Sequence, residues 1–321
     1  MKILITGNAG FIGGYLTGLL VRQGHEIVGL DKNPVNPQSA VCHCVTGNIL
    51  NREDVLKAMS GTELVINLAA EHKDFGISRE LYFEVNQLGT RTLLECATES
   101  GINKFLLYSS VAVYKPSPLP VTEDSPTLPA TDYGESKLAA EGEVIKWHQE
   151  SQDRTAIILR PTVVYGPKNT ANMYRLIDTI YRRRFLRVGS LLNIKSITYV
   201  ENLVAATAFL IARQQKELIN CTYVDEPQMP TIDIVRHIAT CLEIPSPRVV
   251  IPLQLAIPLA STLDLVGRLF KIDLPITANR IRKLNTQTMF QSDRLDELGF
   301  RAEVTNKEGL RRMVDWYRQQ L

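Results

Sequence analysis

Along the first half of the chain, short runs of consecutive apolar and β-branched residues alternate with longer segments whose apolar positions recur at helical spacing. The runs are KILIT (2–6), EIVGL (26–30), VCHCV (41–45), ELVINL (63–68), KFLLY (104–108) and TAIILR (155–160). Helical spacing covers 11–22, 51–59, 81–99 and 133–149. A half-exposed strand alternates apolar and polar residues. These runs do not, so both of their faces are buried, as in a parallel sheet wrapped by helices. The pattern predicts an α/β fold with a doubly wound parallel sheet. After RPTVVYGP (160–167) the alternation loosens and prolines multiply. A sheet domain is therefore expected over 1–167 and a smaller α+β domain, mainly for substrate, over 168–321, with some segments returning to the first.

Composition narrows the function classes. The chain has 321 residues, enough for one large core or two modest ones, and a net charge of +2, which argues against a nucleic-acid binder driven by bulk electrostatics. Its basic run, YRRRFLR (181–187), falls where a helix should end, and cations there complement the helix dipole, so a solvated terminus is expected first and a phosphate site second. Five scattered cysteines (Cys42, Cys44, Cys96, Cys221 and Cys241) fit a reducing compartment better than a disulfide framework. In a strand Cys42 and Cys44 share one side and His43 takes the other, so buried thiols, and no metal, are expected there. MKILITG at the start carries no leader pattern, and a cytoplasmic protein is expected. The apolar stretch 249–270 is interrupted by Pro252, Pro258, Asp264 and Arg268. No integral membrane segment is expected; a buried or groove-lining helix is favoured, with peripheral membrane contact as the lesser alternative.

Chemistry enters with ITGNAGFIGGYL (5–16). Gly7, Gly10 and Gly13 follow the first strand and open the first helix, a spacing that lets backbone turn tightly, approach a pyrophosphate and pack helix on strand. The second strand ends at Asp31, where an acid would bind a ribose 2′-hydroxyl and repel a 2′-phosphate, favouring NAD over NADP. Further along, TDYGESKLAAE (131–141) puts Tyr133 and Lys137 one helical turn apart. A solvated helix face would account for that pair by itself.

The motifs together change this. GNAGFIG, NLAA (67–70), VNQLGT (85–90), YSSVAVY (108–114), YGESK (133–137) and RPTVVYGP resemble, in order and spacing, the extended short-chain dehydrogenase/reductases, the NAD-dependent nucleotide-sugar epimerase/dehydratase family. The resemblance runs from Met1 to about Glu201, with a weaker tail, and implies a Rossmann fold with NAD as cofactor. It makes Tyr133 the catalytic acid/base, Lys137 its partner and ribose anchor, and Ser110 the third member. Free tyrosine has a pKa near 10; two cations, Lys137 and an oxidised nicotinamide, would lower it. Beside Gly7, Gly10, Phe11, Ile12, Gly13 and Asp31, the implied cofactor set includes Asn48 and Ile49 at the adenine, where the family usually has Asp-Ile. Leu68, Ala69 and Ala70 form a wall over the cofactor and His72 lies near the pyrophosphate. Asn86 ties the loops, and Tyr133, Lys137 and Pro161 complete the set.

The departures bear on substrate. Dehydratases of the family carry Thr-Asp-Glu where this chain has Ser110, Val111 and Ala112, so 4,6-dehydration is not expected. The family's Arg-Asp-Phe is replaced by Lys195, Ser196 and Ile197. The resemblance thus implies a UDP-hexose C4 epimerase working by transient hydride transfer. A nucleotide 4-keto-sugar reductase or sugar-nucleotide dehydrogenase is the alternative, with a hydroxysteroid-dehydrogenase-like enzyme or a non-catalytic dinucleotide-sensing regulator behind it. The family also implies a homodimer through the helices after NQLGT and DYGESK, with Leu138, Val144, Ile145 and Trp147 available for burial. The proline-rich segment before Tyr133 (Pro116, Pro118, Pro120, Pro126 and Pro129) is expected to form a stiff loop over the site.

Overall fold

A computed structural model describes residues 1–34, 43–73, 76–213, 216–247, 249–270 and 277–321, with the side chains of 262–270, 279 and 280 outside that description. The first half runs β1 (Lys2–Thr6), α1 (Phe11–Arg22), β2 (Glu26–Asp31), β3 (His43–Thr46), α2 (Arg52–Met59) and β4 (Leu64–Asn67). One long helical segment follows, made of α3 (Arg79–Tyr82), a π-helical turn (Phe83–Leu88) and α4 (Gly89–Glu99). Then come β5 (Lys104–Tyr108), a 3-10 turn (Val111–Val113), α5 (Asp132–Gln149) and β6 (Thr155–Pro161).

The second half starts with β7 (Val163–Tyr165), α6 (Asn172–Tyr181), β8 (Arg187–Val188), β9 (Ile194–Lys195), β10 (Ile197–Tyr199) and α7 (Val200–Ala212). It continues through β11 (Leu218–Tyr223), β12 (Met229–Pro230), α8 (Thr231–Cys241) and β13 (Val250–Ile251). The chain ends with α9 (Leu253–Phe270), α10 (Ala278–Asn285), α11 (Asp293–Glu297) and α12 (Asn306–Arg318).

Seven strands form one sheet in the order β11-β6-β5-β4-β1-β2-β3, and every neighbouring pair is parallel. Strand side chains alternate between faces. Ile3 and Ile5 therefore join Leu16 and Leu20 of α1 and Leu203 and Leu210 of α7 on one side. Leu4 joins Val55 of α2, Leu93 of α4 and Val144 of α5 on the other. Strand order reverses between β1 and β4, so a crevice opens over the carboxyl ends of these strands, where doubly wound sheets bind ligands. The seventh strand, β11, and α7, which packs on the sheet, both come from beyond residue 167.

Two expectations need correction. Cys44 is exposed rather than buried, because β3 is the outermost strand of the sheet among the described residues; Cys42 lies outside them. Val144 and Trp147 are not free for a partner. The α5 spacing turns them onto the sheet, where the Trp147 ring lies 6.0 Å from that of Phe105 at a 56° tilt and its Nε1 donates to Thr98 Oγ1 at 2.9 Å. Leu138 and Ile145 are part-buried beside internal clusters as well. The outward positions of α5 include Gly142 and Lys146.

The basic run sits at a helix end as expected: α6 stops at Tyr181 and Arg182 pairs back with Asp178 at 2.8 Å. Among the described residues no helix is long and apolar enough to cross a membrane, and no cluster of side chains could hold a metal ion.

Candidate active site

The glycine loop is built by close approach. Gly7 has φ of +70°, and a Cβ on it would lie 2.8 Å from the Ala69 nitrogen. A Cβ on Gly13 would lie 2.3 Å from the Gly7 carbonyl oxygen, so only glycine lets α1 start this close to the end of β1. Gly10 caps α1 without a side chain, leaving the first-turn N–H groups of Phe11, Ile12 and Gly13 without intrahelical acceptors and open to an anion. Asp31 stands against this loop. Its Oδ2 accepts the Ala9 N–H at 3.1 Å and its Oδ1 the Asn33 N–H at 2.9 Å. Beneath the loop Asn8 is buried, and no donor reaches its Oδ1 among the described residues. A bare cradle with an acid at its rim fits a dinucleotide that would complete it.

The other predicted cofactor residues divide. Leu68, Ala69 and Ala70 leave β4 half-buried at the strand ends, with the Ala69 N–H donating to Thr6 Oγ1 at 3.2 Å. Asn86 accepts the Glu71 N–H at 2.8 Å and donates to the Glu71 carbonyl and to Ser136 Oγ, tying the β4 loop to α5. Its position in the π-helical turn was not legible in the sequence. Asn48 uses its Oδ1 to accept the Leu50 N–H at 3.0 Å, leaving its Nδ2 as the outward donor. Ile49 is a core side chain, packed where a Cβ on Gly89 would lie 2.5 Å from its Cδ1, so only its backbone can face a ligand. His72 is exposed, and Pro161 is buried at the end of β6.

Tyr133 and Lys137 occupy the first turns of α5. Thr131 caps the helix by accepting the Gly134 N–H at 3.1 Å, and Asp132 and Glu135 supply first-turn acids. Gly134 sets the spacing, because a Cβ there would lie 2.2 Å from the Ala112 carbonyl oxygen. Helix α5 thus lies directly on the 3-10 turn that Ser110 caps. Ser110 Oγ accepts the Ala112 N–H at 3.1 Å and keeps its own hydrogen to donate. Tyr133 is half-buried, its ring 6.1 Å from that of Tyr82.

Lys137 is buried. Desolvation pushes its pKa from 10.5 down to about 8, while the carboxylate of Glu141, one turn on, opposes the fall. Glu141 is itself buried and paired. It accepts Arg160 Nε at 2.8 Å and Nη2 at 2.6 Å and also bonds Ser109 Oγ, while Arg160 Nη1 reaches Tyr114 Oη at 2.5 Å. Gly134, Glu141 and Arg160 were not singled out from sequence. Arg160 carried a signal: a cation ending an otherwise apolar, two-face-buried strand requires a buried partner.

The proline-rich segment is tied down on two sides. Val121 exchanges backbone hydrogen bonds with Met289 and Gln291, and Glu123 accepts the Thr222 N–H at 2.9 Å.

Residues 3–222 match the NAD dependent epimerase/dehydratase family. The chain belongs to this family. Within it the chain is 29% identical to the UDP-glucose 4-epimerase of Vibrio cholerae, over 99% of this chain and 96% of that one. It is 28% identical to an Escherichia coli O157:H7 enzyme, N-acetyl-alpha-D-glucosaminyl-diphospho-ditrans,octacis-undecaprenol 4-epimerase, over 98% and 95%. Among solved structures, the Bacillus cereus UDP-glucuronic acid 4-epimerase in complex with NAD superposes with a TM-score of 0.80 over 100% of this chain and 99% of that one. At 23% identity that likeness is one of fold. Val111 and Ala112 put apolar residues directly after Ser110. Lys195 Nζ is held by the carbonyls of Lys283 and Thr286 at 2.7 and 2.8 Å.

Proposed function

We propose that the protein is an NAD-dependent C4 epimerase of a nucleotide-activated hexose, with Ser110, Tyr133 and Lys137 as its catalytic groups. What supports this reading is the seating of α5 on the Ser110 turn through Gly134, so that the helix carrying Tyr133 and the buried Lys137 lies against the turn carrying the Ser110 hydroxyl. Gly7, Gly10, Phe11, Ile12 and Gly13 would hold the pyrophosphate and Asp31 the ribose. Asn48 and the Ile49 backbone would face the adenine, with Leu68 to Ala70, His72, Asn86 and Pro161 around the remainder. NAD, when bound, supplies the hydride acceptor and returns the hydride.

The chain's own groups handle the proton. Tyr133 Oη takes it from the C4 hydroxyl and gives it back to the C4 oxygen. Ser110 Oγ donates a hydrogen bond to that oxygen through both half-reactions. Lys137, with a pKa of about 8, is mostly cationic at neutral pH and favours the phenolate. Val111 and Ala112 offer no acid or base for eliminating water, which is why epimerisation is preferred to 4,6-dehydration. Buried free thiols at Cys96 and Cys221 suit a reducing compartment, so we place the enzyme in the cytoplasm.

A second reading keeps the chemistry and changes the carrier. The Escherichia coli relative, aligned over 98% of this chain, is named for a sugar on diphospho-undecaprenol, so the carrier here could be a polyisoprenoid rather than a nucleoside.

The test incubates the protein, without added nicotinamide, with each member of several UDP-hexose C4 pairs and with a polyisoprenyl-diphosphate sugar. Convergence on one epimer mixture from either side is expected. Reduction of a UDP-4-keto sugar by NADH or NADPH, with no interconversion in any arm, would replace epimerase by reductase. Tight co-purification of NAD separates the two independently, since a reductase must exchange its cofactor.

A further inference from the structure

Over residues 253–261 helix α9 buries small apolar residues and exposes large ones, with Gln254 and Ser261 as the polar exposed positions. Its inner face is made of small residues, Ala256 and Ala260, packed with Val188, Ala278 and Ile281. Its outer face carries Leu255, 61% exposed, and Leu259, 68% exposed, one turn apart, with exposed Pro252 and Pro258 beside them. At the foot of the helix Val249 is 75% exposed and Val250 is exposed too. Large leucines exposed one turn apart on a surface helix form an apolar patch that marks an interaction site.

Charge beside this face indicates what it meets. β13 pairs in parallel with β8, which sets Val250 beside Arg187 and follows directly on exposed Leu186. Just before them Arg183 and Arg184 are exposed, and neither makes an ion pair among the described residues. Arg183 shares a shallow cavity with Pro245 and Pro247, on the approach to Val249. Segments 183–193 and 244–261 contain no aspartate or glutamate. Large apolar side chains flanked by exposed arginines, in segments with no acid of their own, complement an anionic lipid surface, where apolar groups enter the acyl boundary and cations meet the headgroups.

We propose that the outer face of α9, with Val249 and Val250 at its foot and Arg183 and Arg184 beside it, seats the protein on an anionic bilayer. The helix lies along the surface and does not cross it, consistent with its charge-free stretch ending at Asp264. This inference is independent of the C4 chemistry, because none of its residues belongs to the glycine loop or to α5.

The experiment floats the full-length protein with phosphatidylcholine vesicles and with vesicles that also contain phosphatidylglycerol, at low and raised salt. Co-flotation with the anionic vesicles is expected, weakening as salt rises. Leu255→Glu and Leu259→Glu should each lower the partition coefficient by about tenfold or more, the effect of returning one leucine to water. Arg183→Gln with Arg184→Gln should lower it by about twenty-five-fold, at roughly fivefold per cation. These side chains are exposed, so the variants should keep the thermal midpoint of the unmodified protein. Failure to float, equal flotation with neutral vesicles, or variants that float like the unmodified protein would overturn the proposal. So would a Leu255→Glu variant that floats normally but sediments as a smaller assembly, since the face would then join two copies of the chain.

Discussion

Lys137 gives a prediction in which stability and activity move in opposite directions. Its ammonium is buried, and desolvation lowers its pKa from 10.5 to about 8 even with Glu141 helping to keep the charge. Each tenfold change in acid strength is about 1.4 kcal/mol, so holding this lysine charged in the folded protein costs about 3 kcal/mol at neutral pH. Lys137→Met keeps most of the side-chain length and packing and removes that cost. In protein stripped of nucleotide, the variant should therefore resist urea better at pH 7, by about 2–4 kcal/mol. It should nevertheless lose turnover and bind NAD more weakly, because a ribose anchor and the charge that favours the Tyr133 phenolate are both gone.

The pH dependence identifies the cause. Below pH 8 Lys137 is protonated in the folded and unfolded chains alike, so the burial cost is present in full. Between about 8 and 10.5 the folded chain releases its proton while the unfolded chain keeps it. There the unfolded state binds more protons, and the stability of the unmodified protein rises relative to Lys137→Met. Urea midpoints at pH 7 and pH 9.5, converted with the same slope, should show the gap shrinking by more than half. A destabilised Lys137→Met protein, or a gap that does not change with pH, would mean that the lysine is not held charged against its surroundings.

Four further outcomes are expected. Tyr133→Phe should leave folding and NAD affinity nearly unchanged and cut turnover by at least the ~10²-fold typical of a lost general acid/base, with Ser110→Ala costing less; full activity in the phenylalanine variant would return the pair to a plain helix face. Asp31→Ala should narrow the preference for NAD over NADP in titration calorimetry, and equal affinities in the unmodified protein would contradict the role given to Asp31. Glu141→Leu should destabilise by about 3–5 kcal/mol by leaving Arg160 buried without its partner, and adding Arg160→Met should recover most of that in urea denaturation. Sedimentation at micromolar concentration should show a homodimer through the outer faces of α4 and α5. Gly142→Glu, where nothing lies within 4 Å of the new Cβ, should dissociate it without unfolding the chain.

The sheet was legible because its strands are buried on both faces, so that KILIT, ELVINL and KFLLY lie within a residue or so of β1, β4 and β5. The glycine loop was legible because close backbone approach leaves no other residue type at Gly7 and Gly13. What was missed depends on three-dimensional proximity. Gly134 reads as an ordinary helix residue until Ala112 is seen against it, and Glu141 looks like a solvated acid until Arg160 arrives from β6, 19 residues on. The amphipathic reading of α5 failed for a related reason. Its apolar residues were assigned to a partner when they in fact cover the chain's own sheet, and sequence periodicity shows that a face is buried without showing against what. Cys44 failed for want of strand order, since an edge position cannot be read from a run of residues.

These contacts share a consequence for the chemistry. A phenol and an ammonium act together only if their separation is fixed, and a catalytic group misplaced by about 1 Å can lose ~10²-fold in rate. Helix α5 is fixed at three levels. Asn86 holds Ser136 Oγ from the side of the β4 loop, Gly134 allows van der Waals contact with Ala112 at the start, and Glu141 is held by Arg160 from beneath. Ser136, between Tyr133 and Lys137 in sequence, also donates to the Tyr133 carbonyl at 2.8 Å, so Asn86 acts on the turn that carries both groups. The Glu141–Arg160 pair is an expensive way to hold a helix, since two apolar residues of similar volume would often do as well. It does one thing they could not. The carboxylate one turn beyond Lys137 keeps the pKa of a fully buried lysine from falling further, so the ammonium stays charged at neutral pH. In Glu141→Leu with Arg160→Met, recovered stability with an alkaline limb of turnover moved to lower pH would separate this electrostatic role from the structural one.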